Sequence, residues 1–330
     1  MKRVARLSAP QRQELFAQTA EKRGIGSASI IEKDFWVCWV LKQIFSHPEL
    51  KDKLLFKGGT SLSKVFGLID RFSEDIDLIL DWQLVTDQNP MEKRSNTQQA
   101  KLNAKINEKA KAYISSTLLE LLEEALGSHC TAELGTEEED QGHVVNIHYP
   151  ETGERGYLRP CIRLEIGPLA SWLPHSEYVI HPYAAEEFPR QFKEMECPVR
   201  AIDAKRTFWE KATILHHEAH RPQTSTVPSR YSRHYYDLFL MAETDVRQEA
   251  LDDLSLLREV VEFKTRFYPR GWARYDLAKP GSLKLVPPKR ILSEIQKDYK
   301  SMQEMIFGRH PSFEEIIKGL SLLEKEINGG

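Results

Sequence analysis

The spacing of hydrophobic positions along the chain changes near residue 198. Before that point the pattern is mixed: apolar residues recur at helical spacing over 11–23, 27–45 and 97–127. Shorter apolar or alternating runs in the same part predict strands at 54–56, 75–80, 144–149 and 161–166. After it the spacing is helical and predicts helices at 203–217, 234–243, 251–267, 291–305 and 313–327.

This order of elements predicts an α+β fold. We expect a small mixed sheet flanked by helices in residues 1–199 and a helical C-terminal domain in residues 200–330. A chain of 330 residues is long enough to bury two cores. Hydrophobic residues make up 41% of the chain and charged residues 29%, which is ordinary for a soluble globular protein.

Neither the cysteines nor the N-terminus suggests export. The four cysteines are widely separated and include no C-x-x-C pair, so we expect a reducing compartment and no structural zinc site. The first ten residues are basic, but no apolar core follows them as it would in a signal peptide. No stretch approaches the length of a membrane span. The sequence therefore predicts a cytoplasmic protein that does not act at a membrane.

The segment 56–80, FKGGTSLSKVFGLIDRFSEDIDLIL, contains a glycine turn. The pattern predicts a strand, a turn at 57–59, and a helix that has Thr60 or Ser61 as its N-cap and continues to Ile69. A glycine turn that opens a helix directs unpaired backbone N–H groups outward, and such groups bind phosphate. The candidate phosphate-binding residues are Lys57, Gly58, Gly59, Thr60 and Ser61.

Two aspartates follow in the same segment. Residues two apart in a strand share a face, so Asp75 and Asp77 project together while Ile76 and Leu78 project toward a core. Two neighbouring carboxylates repel each other unless a divalent cation lies between them. A D-x-D motif alone is common by chance, but strand, glycine turn, helix and D-x-D in this order indicate a nucleotidyltransferase. Mg²⁺ is the predicted cofactor, with Mn²⁺ as an alternative.

Glu165 is a candidate third metal ligand. In the predicted strand 161–166 it shares one face with Arg163. A third carboxylate would complete the acidic triad of a polymerase-like site together with Asp75 and Asp77. Alternatively, Glu165 is an exposed strand residue that is paired with Arg163. The sequence leaves both interpretations open.

Lys211 and Asp237 form a second candidate pair. Each lies in a mostly apolar helical segment, TFWEKATILHH and RHYYDLF, where a buried charge needs a partner. One interpretation is a salt bridge that joins two helices. The other places Lys211 on a triphosphate and lets Asp237 orient the lysine or the nucleotide.

Other polar clusters favour structural explanations. His216 and His220 are one helical turn apart, but HHEAH lacks the H-E-x-x-H spacing of a zinc hydrolase. We expect these histidines to be surface or partner-bonded residues. The charged group 32–34 lies in an otherwise apolar helix, and we expect it to be a solvated edge of that helix.

The net charge of −3 is unevenly distributed. Residues 1–199 contain 24 Lys/Arg and 30 Asp/Glu, whereas residues 200–330 contain 22 and 19. Eight basic residues and one acidic residue lie in 264–290, interleaved with four aromatic residues. Such a segment could bind single-stranded RNA, with Arg270, Arg274 and Lys279 as candidate contacts. Alternatively, the aromatic residues belong to the core and the charges are a solvated rim.

These motifs closely resemble those of the AbiEii/AbiGii toxin family of nucleotidyltransferases. The resemblance rests on KGGTSLSKVFGLIDRFSEDIDL, IIEKDFW, RLEIG, TFWEKATILHH, RHYYDLF and ARYDLAKPGSLKLVPP, and it covers roughly residues 27–327. Members belong to bacterial abortive-infection and type IV toxin–antitoxin systems. The family implies a polymerase-β-like nucleotidyltransferase domain followed by a helical domain.

The resemblance also implies roles for individual residues. The family's glycine turn falls on 58–61, and its metal-binding aspartates on Asp75 and Asp77, preceded by Ser73. Its nucleotide-binding lysine resembles Lys211, and its later essential aspartate resembles Asp237. The resemblance does not fix a third carboxylate.

The implied reaction is transfer of a nucleoside monophosphate from a nucleoside triphosphate (NTP) to an acceptor hydroxyl. Family members modify tRNA acceptor ends, so the resemblance implies a tRNA acceptor and a cognate antitoxin. Two alternatives are an enzyme of the same fold that modifies protein or small-molecule hydroxyls, and a non-catalytic nucleotide- or RNA-binding module. Intact Asp75, Asp77, Lys211 and Asp237 argue against the non-catalytic module.

Overall fold

Seven short strands form one mixed β-sheet among the residues that the computed structural model describes, namely 1–137, 140, 142–153 and 158–330. They are β1 Leu54–Lys57, β2 Ile76–Leu80, β3 Thr131–Leu134, β4 Val144–His148, β5 Ile162–Gly167, β6 His175–Ile180 and β7 Cys197–Ile202. Their spatial order is β3-β4-β5-β2-β1-β7-β6, so β1 and β2 lie in the interior of the sheet.

The sheet mixes both strand orientations. β2 is parallel to β5 and β1 is parallel to β7, whereas the other neighbouring strands are antiparallel. Lys57 lies opposite Asp77, and Asp77 lies opposite Glu165. Residues directly opposite each other in adjacent strands project from the same face. Lys57, Asp77 and Glu165 therefore form a row across three strands.

The strands β1, β2, β4 and β5 lie where the sequence pattern predicts them, and the alternate residues Ile76 and Leu78 of β2 are fully buried. The pattern does not predict β3, β6 or β7. The expectation that the chain becomes helical at Pro198 is wrong, because Pro198 lies within β7. Pro198 lies opposite Val179 of β6, whereas β7 pairs with β1 further along, at Ala201, so the proline, which has no N–H, need not donate to β1.

One compact unit comprises residues 1–65 and 72–202 and contains this sheet. Its longest helix, α3, is almost entirely buried and includes Phe35, Trp36 and Trp39, whose rings contact one another edge to face. A π-helical turn at Ile114–Leu118 joins two other helices. The helices of this unit are α1 Lys2–Ala5, α2 Ala9–Arg23, α3 Ala28–Ser46, α4 Gly58–Lys64, α5 Asn96–Tyr113, α6 Leu119–Leu126 and α7 Tyr183–Glu187.

Helix α4 is shorter than the sequence predicts. It ends at Lys64 instead of continuing to Ile69. Residues 66–71 belong to the second compact unit, and Gly67 has a φ of +61°, which a regular helix does not contain.

The second unit comprises residues 66–71 and 203–330. Its described secondary structure is helical, with an irregular stretch between α11 and α12. Its helices are α8 Ala204–Ala219, α9 Ser232–Ala242, α10 Asp245–Leu251, α11 Leu254–Phe267, α12 Lys289–Met302 and α13 Phe313–Ile327. The predicted α+β fold, with a mixed sheet, flanking helices and a helical C-terminal region, is confirmed. Within the described ranges, none of the helices combines the length and the apolar character needed to span a membrane.

Candidate functional site

The glycine turn and the start of α4 are one structure. Because α4 begins at Gly58, the prediction that Thr60 or Ser61 caps it is wrong. Both side chains are buried and bind backbone carbonyls. The Thr60 hydroxyl donates to the carbonyl oxygens of Ser73 (3.2 Å) and Asp75, and the Ser61 hydroxyl donates to that of Gly58 (2.9 Å). The backbone N–H groups of the first helical turn, which lack intrahelical partners, remain the phosphate-binding candidates.

The carboxylate of Asp77 lies directly against Gly58. A Cβ atom built on Gly58 would lie 1.9 Å from Oδ2 of Asp77, and the φ of Gly58 is +84°. Glycine is needed here both for the backbone conformation and for the close approach of the carboxylate. The glycine turn and the second aspartate are therefore in contact.

Glu165 lies beside Asp77 in the register of the sheet, and its side chain is 46% exposed. It is also 3.7 Å from Nη2 of Arg163. The same Nη2 lies closer to Oδ1 of Asp140, at 2.7 Å. Both interpretations of Glu165 thus have a counterpart in the structure, since the residue neighbours Asp77 and also approaches Arg163.

Asp75 carries a carboxylate that is poorly compensated. Burial raises its pKa, and the negative charges of Glu74 and Asp77 raise it further. Its Oδ1 atom is buried and has no hydrogen-bond partner in the described part of the chain. A desolvated carboxylate oxygen beside a second carboxylate fits a divalent cation, which prefers oxygen ligands.

The donor set that fits such a cation is the pair Asp75 and Asp77. Over the described ranges, no group of three or more His, Cys, Asp or Glu side chains is arranged to hold a metal ion. A bound cation would therefore take its remaining ligands from water and from substrate phosphates, as Mg²⁺ commonly does.

The residue before the first aspartate, Glu74, belongs to a buried ion pair. Nζ of Lys33 lies 2.6 Å from Oε2 of Glu74 and also donates to the carbonyl oxygen of Arg159 (3.0 Å). The backbone N–H of Arg159 donates to the same Glu74 oxygen (3.1 Å). Lys33 is 0% exposed. The expectation that residues 32–34 form a solvated edge is wrong, because all three side chains are buried.

Asp34 makes a second buried ion pair from the same helix. Its Oδ1 lies 2.7 Å from Nζ of Lys64, the last residue of α4, and its Oδ2 accepts the backbone N–H of Tyr183 (2.6 Å). Burial alone would lower the pKa of Lys64, but the charge of Asp34 outweighs it and the pKa is raised. Two adjacent residues of α3 therefore bind the end of the helix that follows the glycine turn and the residue that precedes Asp75.

In the second unit, Lys211 and Asp237 form the salt bridge that the sequence offered as one alternative. Nζ of Lys211 lies 2.6 Å from Oδ2 of Asp237. Arg71 binds the same carboxylate through two contacts, Nε to Oδ1 at 2.7 Å and Nη2 to Oδ2 at 2.8 Å. All three side chains are buried. Burial would raise the pKa of Asp237, but Arg71 and Lys211 outweigh it and hold the pKa below its usual value.

Lys211 also lies 3.4 Å from Nδ1 of His234. Burial lowers the pKa of Lys211, and the charge of Asp237 opposes that effect only in part. Burial and the neighbouring Lys211 lower the pKa of His234 well below its usual value. Asp237 is therefore the anion that offsets the burial of the Lys211 side chain.

Of the two histidines that the sequence predicts to be surface or partner-bonded residues, His216 is bonded through both ring nitrogens. His216 is buried; Nε2 pairs with the carbonyl oxygen of Arg274 (2.9 Å), and Nδ1 accepts the backbone N–H of Lys284 (3.0 Å). Burial lowers its pKa to about 4. A neutral His216 thus anchors the irregular stretch between α11 and α12. Glu324 holds the same stretch, because its Oε2 accepts the backbone N–H groups of Leu285 (2.5 Å) and Val286 (3.1 Å).

The aromatic residues of 264–290 divide into two groups. Phe267 and Tyr275 are buried, as the core interpretation predicts, whereas Tyr268 is 50% exposed. The half-buried Trp272 ring lies near two guanidinium groups, those of Arg221 at 5.0 Å and Arg270 at 5.5 Å from its centroid. Tyr268 and Trp272 are thus the aromatic residues of this segment with surface left to contact a ligand.

The three candidate RNA contacts are exposed and lie on the same irregular stretch. Arg274 binds Asp276 through two contacts of 3.1 Å. Arg270 packs on Trp272, and no carboxylate partner is seen for it or for Lys279 in the described ranges. Arg270 and Lys279 are therefore better placed than Arg274 to contact an added phosphate.

Sequence reasoning missed Arg71, Lys33 and Glu74. A signal existed for Lys33, because a charge within a long apolar helix requires a buried partner. Glu74 precedes the D-x-D motif and could have been its partner by charge. Arg71 gave no signal, since it lies in a short connecting segment whose partner is 166 residues away.

Comparison of the sequence with models of known protein families identifies the family of this chain. Residues 39–319 match the sequence model of a family described as nucleotidyl transferase AbiEii toxin, type IV toxin–antitoxin system. No curated protein matches the chain in sequence.

Solved structures that are similar to the chain include two of known source. JHP933 from Helicobacter pylori has 15% identity and a TM-score of 0.44, over 92% of this chain and 93% of that chain. MenT4, a nucleotidyltransferase toxin from Mycobacterium tuberculosis H37Rv, has 16% identity and a TM-score of 0.48, over 95% and 92%.

The family match spans most of the chain, including the glycine turn, both aspartates and the Lys211–Asp237 pair. The resemblance drawn from the sequence motifs is confirmed. The chain belongs to the AbiEii family of nucleotidyltransferase toxins of type IV toxin–antitoxin systems.

Proposed function

We propose that this nucleotidyltransferase moves a nucleoside monophosphate from an NTP to a hydroxyl group of RNA, with Mg²⁺ or Mn²⁺ as cofactor. By analogy with the family, the acceptor is the 3′ end of a tRNA. The observation that supports metal dependence is the buried, unpartnered Oδ1 of Asp75 beside the carboxylate of Asp77. A cognate antitoxin is expected from the family.

In this reaction the acceptor hydroxyl loses its proton to water as its oxygen forms a bond to the α-phosphorus of the NTP. The bond from that phosphorus to the β-phosphate oxygen breaks, and pyrophosphate leaves with the electron pair. No covalent enzyme intermediate is needed. Asp75 and Asp77 would hold the cation, which when bound neutralises phosphate charge and makes the attacking hydroxyl more acidic.

The remaining residues bind and orient the nucleotide. Backbone N–H groups at 58–61 would donate to the phosphates, and Lys57, in the same row as Asp77, would add positive charge. The hydrogen bond from the Thr60 hydroxyl to the carbonyl oxygen of Ser73 holds the loop before Asp75 against α4. A third ligand, Glu165, stays a prediction: it lies beside Asp77 in the register, but in the described ranges no three acidic side chains are arranged around one metal position, so its side chain would have to move to reach the cation.

Lys211 is proposed to bind the nucleotide and Asp237 to orient Lys211. The contact of 2.6 Å between them supports the orienting role, since it defines the direction of the ammonium group. Isothermal calorimetry with a non-hydrolysable NTP tests the binding role. A Lys211→Met variant that is folded and binds the NTP with wild-type affinity would limit Lys211 to a structural role.

The acceptor is proposed to contact the surface formed by Arg270, Arg274 and Lys279, with Tyr268 and Trp272 available for stacking. Replacing the three cations by Ala should flatten the salt dependence of RNA binding by about one unit of log–log slope for each lost phosphate contact. NTP affinity should stay unchanged. A triple variant that keeps the wild-type slope would place the acceptor on another surface.

Labelling tests the reaction itself. The protein is incubated with each α-labelled NTP, Mg²⁺ and total cellular RNA, in parallel with an Asp77→Asn variant, and the RNA, protein and small-molecule fractions are separated. We expect label in the tRNA fraction with wild type only. Label in protein or small molecules would redirect the acceptor assignment, and no label with any NTP would indicate a nucleotide- or RNA-binding module.

A further inference from the structure

The loop that leads into Asp75 is anchored at each of three consecutive residues. The carbonyl oxygens of Ser73 and Asp75 accept bonds from the Thr60 hydroxyl. Glu74 lies between these two residues, and its side chain binds Lys33 of α3, whose side chain is completely buried. The loop is therefore held from α4 on one side and from α3 on the other.

The Lys33–Glu74 pair is expensive to bury unless it is fully bonded. Here three hydrogen bonds offset that cost: Lys33 donates to Glu74 at 2.6 Å and to the carbonyl of Arg159 at 3.0 Å, and the N–H of Arg159 donates to Glu74 at 3.1 Å. The closed arrangement leaves Glu74 turned toward Lys33. Without Lys33, the Glu74 carboxylate next to Asp75 would lose its buried ammonium partner and the contact that sets its direction.

We propose that Lys33 is a positioning residue. By holding Glu74, it fixes the backbone directly before Asp75 and keeps the Asp75 and Asp77 carboxylates in one place before a cation binds. This inference depends on the proposed function, in which these two carboxylates hold a divalent cation. It assigns a role to the IIEKDFW segment that the sequence leaves without one.

The sign of the effect distinguishes positioning from simple electrostatics. Removing a positive charge near a cation site should strengthen cation binding by Coulomb's law. Removing a group that orients metal ligands should weaken it, typically by about 10- to 100-fold. A Lys33→Met substitution, which keeps the side-chain volume, therefore gives opposite results under the two explanations.

Arg12 provides a matched control. It is a second buried cation of the same unit, 5% exposed, and donates to the carbonyl oxygens of Leu7 (2.7 Å) and Pro150 (2.8 Å). Neither partner belongs to the segment 58–77. An Arg12→Met variant therefore loses two side-chain hydrogen bonds, as Lys33→Met does, and neither of them involves the aspartates.

The experiment titrates Mn²⁺ into each full-length protein and follows unbound Mn²⁺ by electron paramagnetic resonance, with a thermal melt beside it. We expect Lys33→Met to weaken Mn²⁺ binding at least tenfold and Arg12→Met to leave it unchanged, although both lower the melting temperature. Unchanged or tighter Mn²⁺ binding in Lys33→Met, or an equal loss in Arg12→Met, would overturn the positioning role.

Two further variants keep the test decisive. If Lys33→Met does not fold, Lys33→Arg replaces it, because it keeps the charge but moves Glu74; weaker Mn²⁺ binding supports positioning and wild-type binding contradicts it. Asp77→Asn tests the proposed function separately. If Asp77→Asn binds Mn²⁺ as wild type does, the metal assignment fails, and the role of Lys33 fails with it.

Discussion

The contact between Gly58 and Asp77 gives the sharpest test of the site. We consider Gly58→Ala, which adds a single methyl group. That carbon would lie 1.9 Å from Oδ2, 2.6 Å from Cγ and 3.0 Å from Cβ of Asp77. Ordinary contact begins near 3.4 Å, so the carboxylate would have to retreat by roughly 1.5 Å.

Two costs of this substitution can be separated. The first is the positive φ of +84°, which costs a non-glycine residue about 1–2 kcal/mol of folding free energy. The second is displacement of a carboxylate that can rotate away, so it adds little to the loss of stability. A misplacement of about 1 Å in a reacting assembly can still cost on the order of 100-fold in rate. We therefore expect a modest loss of stability and a large loss of transfer.

Gly24→Ala has the first cost without the second, so its difference from Gly58→Ala reports the displaced carboxylate. Gly24 has a similar φ of +67°, lies in the same unit, and a Cβ there would meet no atom within 4 Å. Denaturant melts should show similar destabilisation of both variants, while initial rates of NMP transfer should fall about 100-fold in Gly58→Ala only. Equal transfer rates in the two variants would refute the inference that Asp77 must lie against Gly58 to act.

Further predictions concern charge. Asp75→Asn should abolish transfer and growth arrest on expression while the apo melting temperature holds or rises, because the pKa of Asp75 is raised and its charge is unfavourable in the folded state; growth curves and a melt check this. Lys211→Met should destabilise less than Asp237→Asn, which removes the carboxylate that both Lys211 and Arg71 bind, at a cost of roughly 3–5 kcal/mol by chemical denaturation. His216→Ala should destabilise at pH 7 but flatten the loss of stability between pH 6.5 and about 4, because burial lowers the pKa of His216 and the unfolded chain binds the extra proton there first.

Elements with a strong period were predictable from sequence. Helix α13 begins and ends where the spacing predicts, with a capping box at Ser312 that marks its start. β2 is predictable because Ile76 and Leu78 alternate with the aspartates in the sequence, although the strand begins after Asp75 and also buries Ile79. In contrast, β6 has mostly exposed or half-buried side chains and only Ile180 buried, so its composition gives little alternation to detect.

The candidate site was predictable where its chemistry is local. The glycine turn and the aspartates lie within 20 residues of one another, and their types and order suffice to propose a function. Partners distant in sequence were not predictable. The pairing of Lys33 with Glu74, and of Arg71 with Asp237, depends on how helices and loops pack, which no short-range pattern encodes. The prediction that Thr60 caps α4 is wrong because the helix already begins at Gly58, and the Thr60 hydroxyl instead donates to the carbonyl oxygen of Ser73 in the loop before Asp75.

The path of the chain through its two compact units limits how the molecule could be divided or recombined. The chain leaves the first unit after Val65, contributes 66–71 to the second, and returns at Phe72 before β2. A cut at 202/203 would leave Arg71 on one fragment and Asp237 on the other. If evolution exchanged residues 203–330 with another protein, the buried carboxylate of Asp237 would lose the guanidinium of Arg71 unless residues 66–71 were exchanged as well. We expect the two parts to be inherited together, and co-expression of fragments split at 202/203 to yield soluble protein only when both are present.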